Sequence, residues 1–441
     1  MFNVTIPSFH CPEIQYAIEI LFEEFLGLKI SFLYSPDPKS DFVLDSKDMQ
    51  TVIIKNKFFS RFNFESEYIN KTALPKSIKY WTDSSLNLEK LPVLYGENKI
   101  TADQNQYTLH ADLIASTYFM LSRWEETVDD QKDEHGRSAG KNTVAYKYEF
   151  LHRPIVNEYA DLVWKVLTLA GFEGKRKNHN YTAVITHDID QPFQWPSWKI
   201  NIKHLAGDLL KRRDFNMFVS DIKSLYRTTI LGKKDPFDHH DYLISLANEH
   251  GYKANFNLII SSQSKYDQSL PVSDPRLAAL INKIESNGHI IGYHPGYNVY
   301  KDEMLFKKEL NQLQSIVSQK IVSGRQHYLR FSVPDTWRIW DAAGLEWESS
   351  MGYSDLPGFR CGTCYPYSVF DCIERKKLKL KEKPLILMDA TLVHYLKSAD
   401  MPSMHLLKEE CKKHGGEWLT IFHNDLVNHP ILKDFPSLIL K

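Results

Sequence analysis

The sequence predicts an α/β protein whose C-terminal part is a parallel sheet or (β/α) barrel. Three observations carry this. From Tyr181 onward, short apolar, β-rich runs alternate with helix-length amphipathic stretches, the pattern of repeated strand–helix–strand units. Those runs end in Asp, His and Arg, and in such folds chemistry collects at the carboxyl ends of the strands. Upstream, Gly171-Phe-Glu-Gly-Lys-Arg-Lys-Asn-His-Asn180 has no apolar period and reads as a linker. It divides a smaller mixed α/β domain, residues 1–177, from residues 178–441.

In chain order, the first helix is expected over Pro12 to Leu28, where Ile14, Ala17, Ile18, Leu21, Phe22 and Phe25 share one stripe. Phe42-Val-Leu and Thr51-Val-Ile-Ile read as strands, and Ala111 to Trp124 as a helix. The polar run Asp129 to Arg137 reads as a solvated connection. A helix from about Pro154 to Ala170 closes the N-terminal region. Beyond the linker, strands are expected at Tyr181–Thr186, Lys253–Ile260, Gly288–His294, Ile321–His327, Trp347–Ser350, Leu385–Asp389 and Trp418–His423. Helices are expected over Asp238–His250, Arg276–Asn287, Leu305–Gln319, Thr336–Ala343 and Ser403–His414.

Composition narrows the function. The chain of 441 residues has 54 Lys+Arg against 55 Asp+Glu, a net charge of −1. That balance argues against nucleic acid or an anionic membrane as the main partner. No run reaches about 18 consecutive apolar residues, so no membrane span is expected. The start of the sequence lacks a basic region followed by an apolar one, and the expected location is cytoplasmic. Five cysteines argue against a disulfide framework. Cys361-Gly-Thr-Cys364 and Cys372 have no second paired motif, so they read as free thiols in a substrate loop rather than a zinc ribbon.

The strand ends supply the candidate chemistry. Asp188 and Asp190 are two apart on extended chain and point to the same side. Two adjacent carboxylates repel each other unless a cation or proton lies between them. His294, then Arg325, His327 and Arg330, then His423 follow at successive strand ends. Singly, each has a plain structural reading as a cap, a turn residue or a surface group. Together they look like a hydrolytic metal site, with oxygen and imidazole ligands and a spare carboxylate as base.

The order of these motifs resembles the polysaccharide deacetylases (carbohydrate esterase family 4, the NodB-homology domain). Thr186-His-Asp-Ile-Asp190 is similar to the family's first motif, Ile290-Ile-Gly-Tyr-His-Pro295 to the second and Gly324-Arg-Gln-His-Tyr-Leu-Arg330 to the third. Trp347 to Asp355 resembles the fourth, and Leu419-Thr-Ile-Phe-His423 the last. The likeness extends over about Tyr181 to Leu440. It is nearest to a divergent bacterial branch whose members often carry an N-terminal domain of unknown function, which residues 1 to about 177 resemble.

The resemblance implies an irregular barrel of about seven strands and hydrolysis of an N-acyl group, most plausibly acetyl, on an amino-sugar glycan or its precursor. It implies Asp188 as the base, His423 as the general acid, and Arg325 or Arg330 holding Asp188 ionised. Asp190 and His294 would bind a divalent metal, zinc first, with cobalt, nickel or manganese as alternatives. The family's second motif has two histidines four apart, whereas Asn298 stands four after His294. The vacancy is filled by Asn298, by His327 or by a water, or else the metal is lost; between the two side chains position favours Asn298 and ligand chemistry the imidazole. Arg360, Tyr297 and Asp389 are candidate substrate contacts. The alternative is a non-catalytic glycan-binding protein on a lapsed esterase barrel. The oligomeric state is left open.

Overall fold

The computed structural model describes residues 2–261 and 263–440. The C-terminal sheet is organised on the strand Thr182–Ile189, whose residues from Ile185 onward are buried on both faces. That is the mark of a parallel strand covered on both sides. Asn255–Leu258 pairs with it in parallel, placing Asn257 opposite Asp188. Ile290–Tyr293 follows in parallel, placing Gly292 opposite Asn257.

The helices between strands form where the sequence supplies both period and caps. Pro275–Ser286 opens with the Asp274 side chain accepting from the Arg276 N–H and with proline in its first turn, and buries Leu277, Leu280, Ile281 and Ile284. That spacing is one apolar stripe of a 3.6-residue helix. His240–Glu249, Glu303–Gln314, Asp335–Ala342 and Met401–His414 are the other expected helices.

The sheet corrects the expected barrel of about seven strands. It has nine strands, in the order Tyr367–Asp371, Lys376–Glu382, Trp347–Glu348, Ser323–Gly324, Ile290–Tyr293, Asn255–Leu258, Thr182–Ile189, Glu417–Ile421 and Leu387–Met388. This order is open, with Tyr367–Asp371 and Leu387–Met388 as its two edges. The surplus comes from an antiparallel hairpin, Tyr367–Asp371 with Lys376–Glu382. The second of these strands has only two apolar residues, Leu378 and Leu380, among lysines, too few to be recognised as a strand by hydropathy.

By contacts the chain separates into two units. One comprises Met1–Ala183, Tyr328–Leu387 and Asp400–Leu419; the other comprises Val184–His327, Met388–Ala399 and Thr420–Lys441. Within the first unit a six-stranded sheet runs Ile30–Ser35, Phe2–Pro7, Phe42–Asp45, Thr51–Ile54, Gln106–Ala111 and Gly96–Ala102. Helix Leu113–Ser122 is buried on every side, with its Ser116 and Ser122 hydroxyls donating to the carbonyls of Asp112 and Tyr118. The expected first helix is α-helical over Cys11–Glu19 and continues as a wider π turn over Ile20–Phe25. The run 129–137 is not simply a solvated connection. Arg137 is buried, and its guanidinium donates to Asp133 (2.8 Å) and to the Tyr328 carbonyl (2.8 Å).

Candidate active site

All the groups that converge belong to the second unit, at or just beyond the carboxyl ends of its strands. Asp190 stands one residue past Thr182–Ile189 and is partly exposed. Its Oδ1 lies 2.9 Å from His294 Nε2, and its Oδ2 lies 3.5 Å from His327 Nε2. Asp190, His294 and His327 each offer a ligand atom, and all three atoms lie within 4.8 Å of one another.

Each imidazole is fixed from behind. His294 Nδ1 donates to the Arg325 carbonyl at 2.6 Å, and His327 Nδ1 donates to Asp267 Oδ1 at 3.0 Å. Anchoring Nδ1 in this way fixes the ring orientation and leaves Nε2 as the atom facing the site, the usual support of a metal-ligating histidine. Burial works against a charge on His327, but Asp190 and Asp267 raise its pKa to about 9. Burial likewise pushes Asp190 upward, and the His327 and His294 imidazoles outweigh it, holding the carboxyl well below its ordinary value.

Asp188 is buried two residues earlier on the strand. Its Oδ1 accepts from Arg325 Nη1 at 2.8 Å and from Asn257 Nδ2 at 2.6 Å. Among the described residues Oδ2 accepts no hydrogen bond from the protein. Arg325 is fully buried and the same Nη1 also reaches Thr186 Oγ1 at 2.9 Å. Burial pushes the Asp188 carboxyl up, and the Arg325 guanidinium with the His294 and His423 imidazoles brings it below the usual carboxylate value. Glycine is required opposite Asn257, because a Cβ on Gly292 would lie 2.1 Å from Asn257 Oδ1.

His423 follows the strand Glu417–Ile421. Its Nδ1 donates to Asp389 Oδ1 at 2.5 Å, its backbone N–H donates to Asp389 Oδ2 at 2.7 Å, and its Nε2 lies 3.9 Å from Asp190 Oδ2. Burial disfavours the charged ring, yet Asp389, with Asp190 and Asp188, holds His423 protonated well above its ordinary value.

The remaining candidates are placed differently. Asp389 is fully buried, with its oxygens engaged by His423 and the Ala390 N–H. Tyr297 is nearly buried, donates its N–H to Asp267 at 2.9 Å and packs its ring on Tyr266 at 4.3 Å. Asn298 is exposed, at the start of the short turn Val299–Lys301. Arg330 belongs to the other unit and donates from Nε to the His135 carbonyl at 2.8 Å. It is Arg325 that pairs with Asp188.

Arg360 is engaged elsewhere. It too belongs to the other unit, where it is buried, ion-paired through both Nε and Nη2 to Glu126, and bonded to the Gly352 carbonyl at 2.7 Å. A guanidinium so enclosed has a structural partner in Glu126. Cys361, Cys364 and Cys372 are free and buried.

Two site residues escaped the sequence reading. Asn257 lies inside a strand, and its signal is a second asparagine, Asn255, alternating with apolar residues in Asn-Phe-Asn-Leu. Asp267 lies in a loop with nothing to distinguish it; its Oδ2 is also bonded to Ser261 at 3.2 Å.

Residues 2–171 match the model of a family of unknown function (DUF7033). None of the curated proteins matches the chain. Among solved structures, one similar chain is described as a candidate polysaccharide deacetylase from Mycobacterium smegmatis. It has 17% identity and a TM-score of 0.37, with 60% of this chain and 84% of that one covered. Another is described as a candidate polysaccharide deacetylase involved in O-antigen biosynthesis from Bordetella bronchiseptica. It has 13% identity and a TM-score of 0.30, with 58% and 76% covered. Overlaps this loose say nothing of chemistry, and the reading of the site rests on its residues.

Proposed function

We propose that the protein is a divalent-metal-dependent hydrolase that removes an N-acyl group, acetyl foremost, from an amino-sugar glycan or its precursor. The observation that carries this reading is the convergence of Asp190, His294 and His327 within 4.8 Å beside a buried, arginine-paired Asp188. The donors fit a metal. One carboxylate and two imidazoles with anchored Nδ1 atoms give three mixed oxygen and nitrogen ligands, a set that suits zinc and is compatible with cobalt, nickel or manganese. A cation held there supplies Lewis-acid polarisation of the acyl carbonyl and lowers the pKa of a water.

The chain's own groups divide the proton work. Asp188, kept ionised by Arg325, offers Oδ2 to take the proton from the attacking water. His423, kept protonated and oriented by Asp389, delivers a proton to the leaving amine. Asn257 and Arg325 fix Asp188 through Oδ1, so the carboxylate is positioned before substrate arrives.

The test is metal analysis of the purified protein together with acetate release from N-acetylglucosamine oligomers, with Asp190→Ala as control. About one equivalent of divalent metal, lost in the variant together with turnover, is expected. The competing reading, a glycan-binding protein without turnover, draws on Asn298 at the family's second histidine position. Retained glycan binding without metal or acetate release would favour it.

A further inference from the structure

The segment between the first two strands of the second unit carries a surface that ordinary solvent exposure does not explain. It folds into helix Trp198–Gly207 and helix Phe215–Thr229, and the latter buries none of its residues. Ten of the 21 large hydrophobic side chains exposed among the described residues lie between Trp198 and Leu231. They include Trp198 at 68% exposure, Leu210 at 80%, Phe215 at 67% and Ile230 at 68%. Such a concentration marks an interaction surface.

The second helix packs through a mixed side on which Phe218 and Leu225 are half-buried; there Asp221 pairs with His204 at 2.9 Å and accepts from Gln194 at 3.4 Å, and Ser224 accepts from Trp195 Nε1 at 3.0 Å. Phe215, Ile222 and Tyr226 lie within about 40° of one another around a 3.6-residue helix, roughly opposite Ser224. All three are exposed. Lys223 and Arg227, both exposed, form a shoulder beside this stripe. Residues 198–231 contain seven Lys or Arg against three Asp, a local excess that the chain's near-zero net charge conceals.

We propose that these two helices dock the protein on the surface of a bilayer containing anionic lipid. Aromatic and aliphatic side chains on one face with cations beside them are the composition of helices that lie in the interfacial plane. The cations match the negative potential of such a surface, at roughly fivefold in affinity for each Lys or Arg near it. A protein partner would be expected to seat one or two anchors in a pocket. Here the apolar groups are spread over both helices and the stretch joining them, with cations interleaved, which suits a fluid, extended surface. No helix among the described residues is long and apolar enough to cross a membrane, so the contact is peripheral. The inference is independent of the reaction proposed above, because its readout is binding and not turnover.

The experiment is co-sedimentation of the full chain with vesicles of phosphatidylcholine alone or mixed with phosphatidylglycerol, at low and high salt. Binding to the mixed vesicles is expected, weakened by salt and much weaker on phosphatidylcholine. Lys223→Glu with Arg227→Glu should cost at least about 30-fold in affinity. Ile222→Asp with Tyr226→Asp should abolish pelleting. Because all four side chains are exposed, the variants should melt as wild type does. No pelleting with mixed vesicles, or variants that pellet like wild type, would overturn the proposal. So would a dimer in vesicle-free solution that Ile222→Asp dissociates, which would make a second copy the occupant.

Discussion

Asp188 has two carboxylate oxygens in unequal surroundings. Oδ1 is held by Arg325 and Asn257, and Oδ2 is the oxygen that the proposed reaction would use as base. Asp188→Asn is nearly isosteric but cannot accept the proton. It is expected to keep its metal and lose roughly 10²–10⁴-fold in kcat, the usual size of a general-base contribution. Near-normal turnover in that variant would remove Asp188 from the role. The third ligand is testable by the same logic. His327 Nε2 faces Asp190 with Nδ1 anchored on Asp267, whereas Asn298 is exposed. Accordingly His327→Ala should weaken metal affinity by orders of magnitude, and Asn298→His should change it little. Tighter metal binding in Asn298→His, with His327→Ala unaffected, would reverse the assignment. Asp267→Asn should fall between them, near the 10–100-fold typical of a residue supporting a ligand histidine.

Among the elements, helix Met401–His414 offers a prediction separate from the site. His414 Nδ1 lies 3.1 Å from Asp161 Oδ2, and Nε2 lies 3.7 Å from Glu410 Oε2 one turn back. Burial lowers the His414 pKa, and Asp161 and Glu410 more than reverse this, raising it from 6.5 to about 9. A pKa raised on folding stabilises fully below the unfolded value and ceases to as pH rises through the folded one. The contribution should therefore be present at pH 6 and fade between about pH 6.5 and 9. Its size is about 1–3 kcal/mol, at the lower end because Asp161 is 41% exposed. In His414→Gln, the loss of Tm relative to wild type should be large at pH 6 and near zero at pH 10; a loss independent of pH would contradict the ion pair. The same helix was legible in the sequence, as were the strands bearing Asp188, His294 and His423, because period and strand-end polarity are local signals. The hairpin Tyr367–Glu382 was not, since Lys-Lys-Leu-Lys-Leu-Lys-Glu looks solvated until its neighbours bury one face. Asp267 was not, because a loop aspartate acquires its role only when His327 arrives 60 residues later. The partner of Arg360 was not legible for the same reason, Glu126 being 234 residues away.

For the whole molecule, the sequence places a linker at Gly171–Asn180, but the contacts of the first unit run across it. Arg360 is buried against Glu126, and Arg375 donates to Glu13 at 2.6 and 3.0 Å. Tyr16 donates to the Ser368 carbonyl at 2.9 Å and Tyr367 to the Leu121 carbonyl at 3.1 Å. Each of these pairs joins residues before the linker to residues of Tyr328–Leu387 within one unit. Removing residues 1–177 would leave two guanidiniums in an apolar surface made to be covered. Breaking one buried ion pair costs on the order of 3–5 kcal/mol, against a total stability of about 5–15 kcal/mol for a typical domain. The fragment 178–441 is therefore expected to aggregate or to melt without a cooperative transition, while the full chain unfolds cooperatively. Glu126→Gln in the full chain removes the charge that Arg360 shares with Arg123, without deleting the surface around it. It should lower stability by about 3 kcal/mol, measured by denaturant titration with an unchanged m-value. A fragment that melts as sharply as the full chain, or a Glu126→Gln protein as stable as wild type, would show that the linker separates two parts that fold on their own.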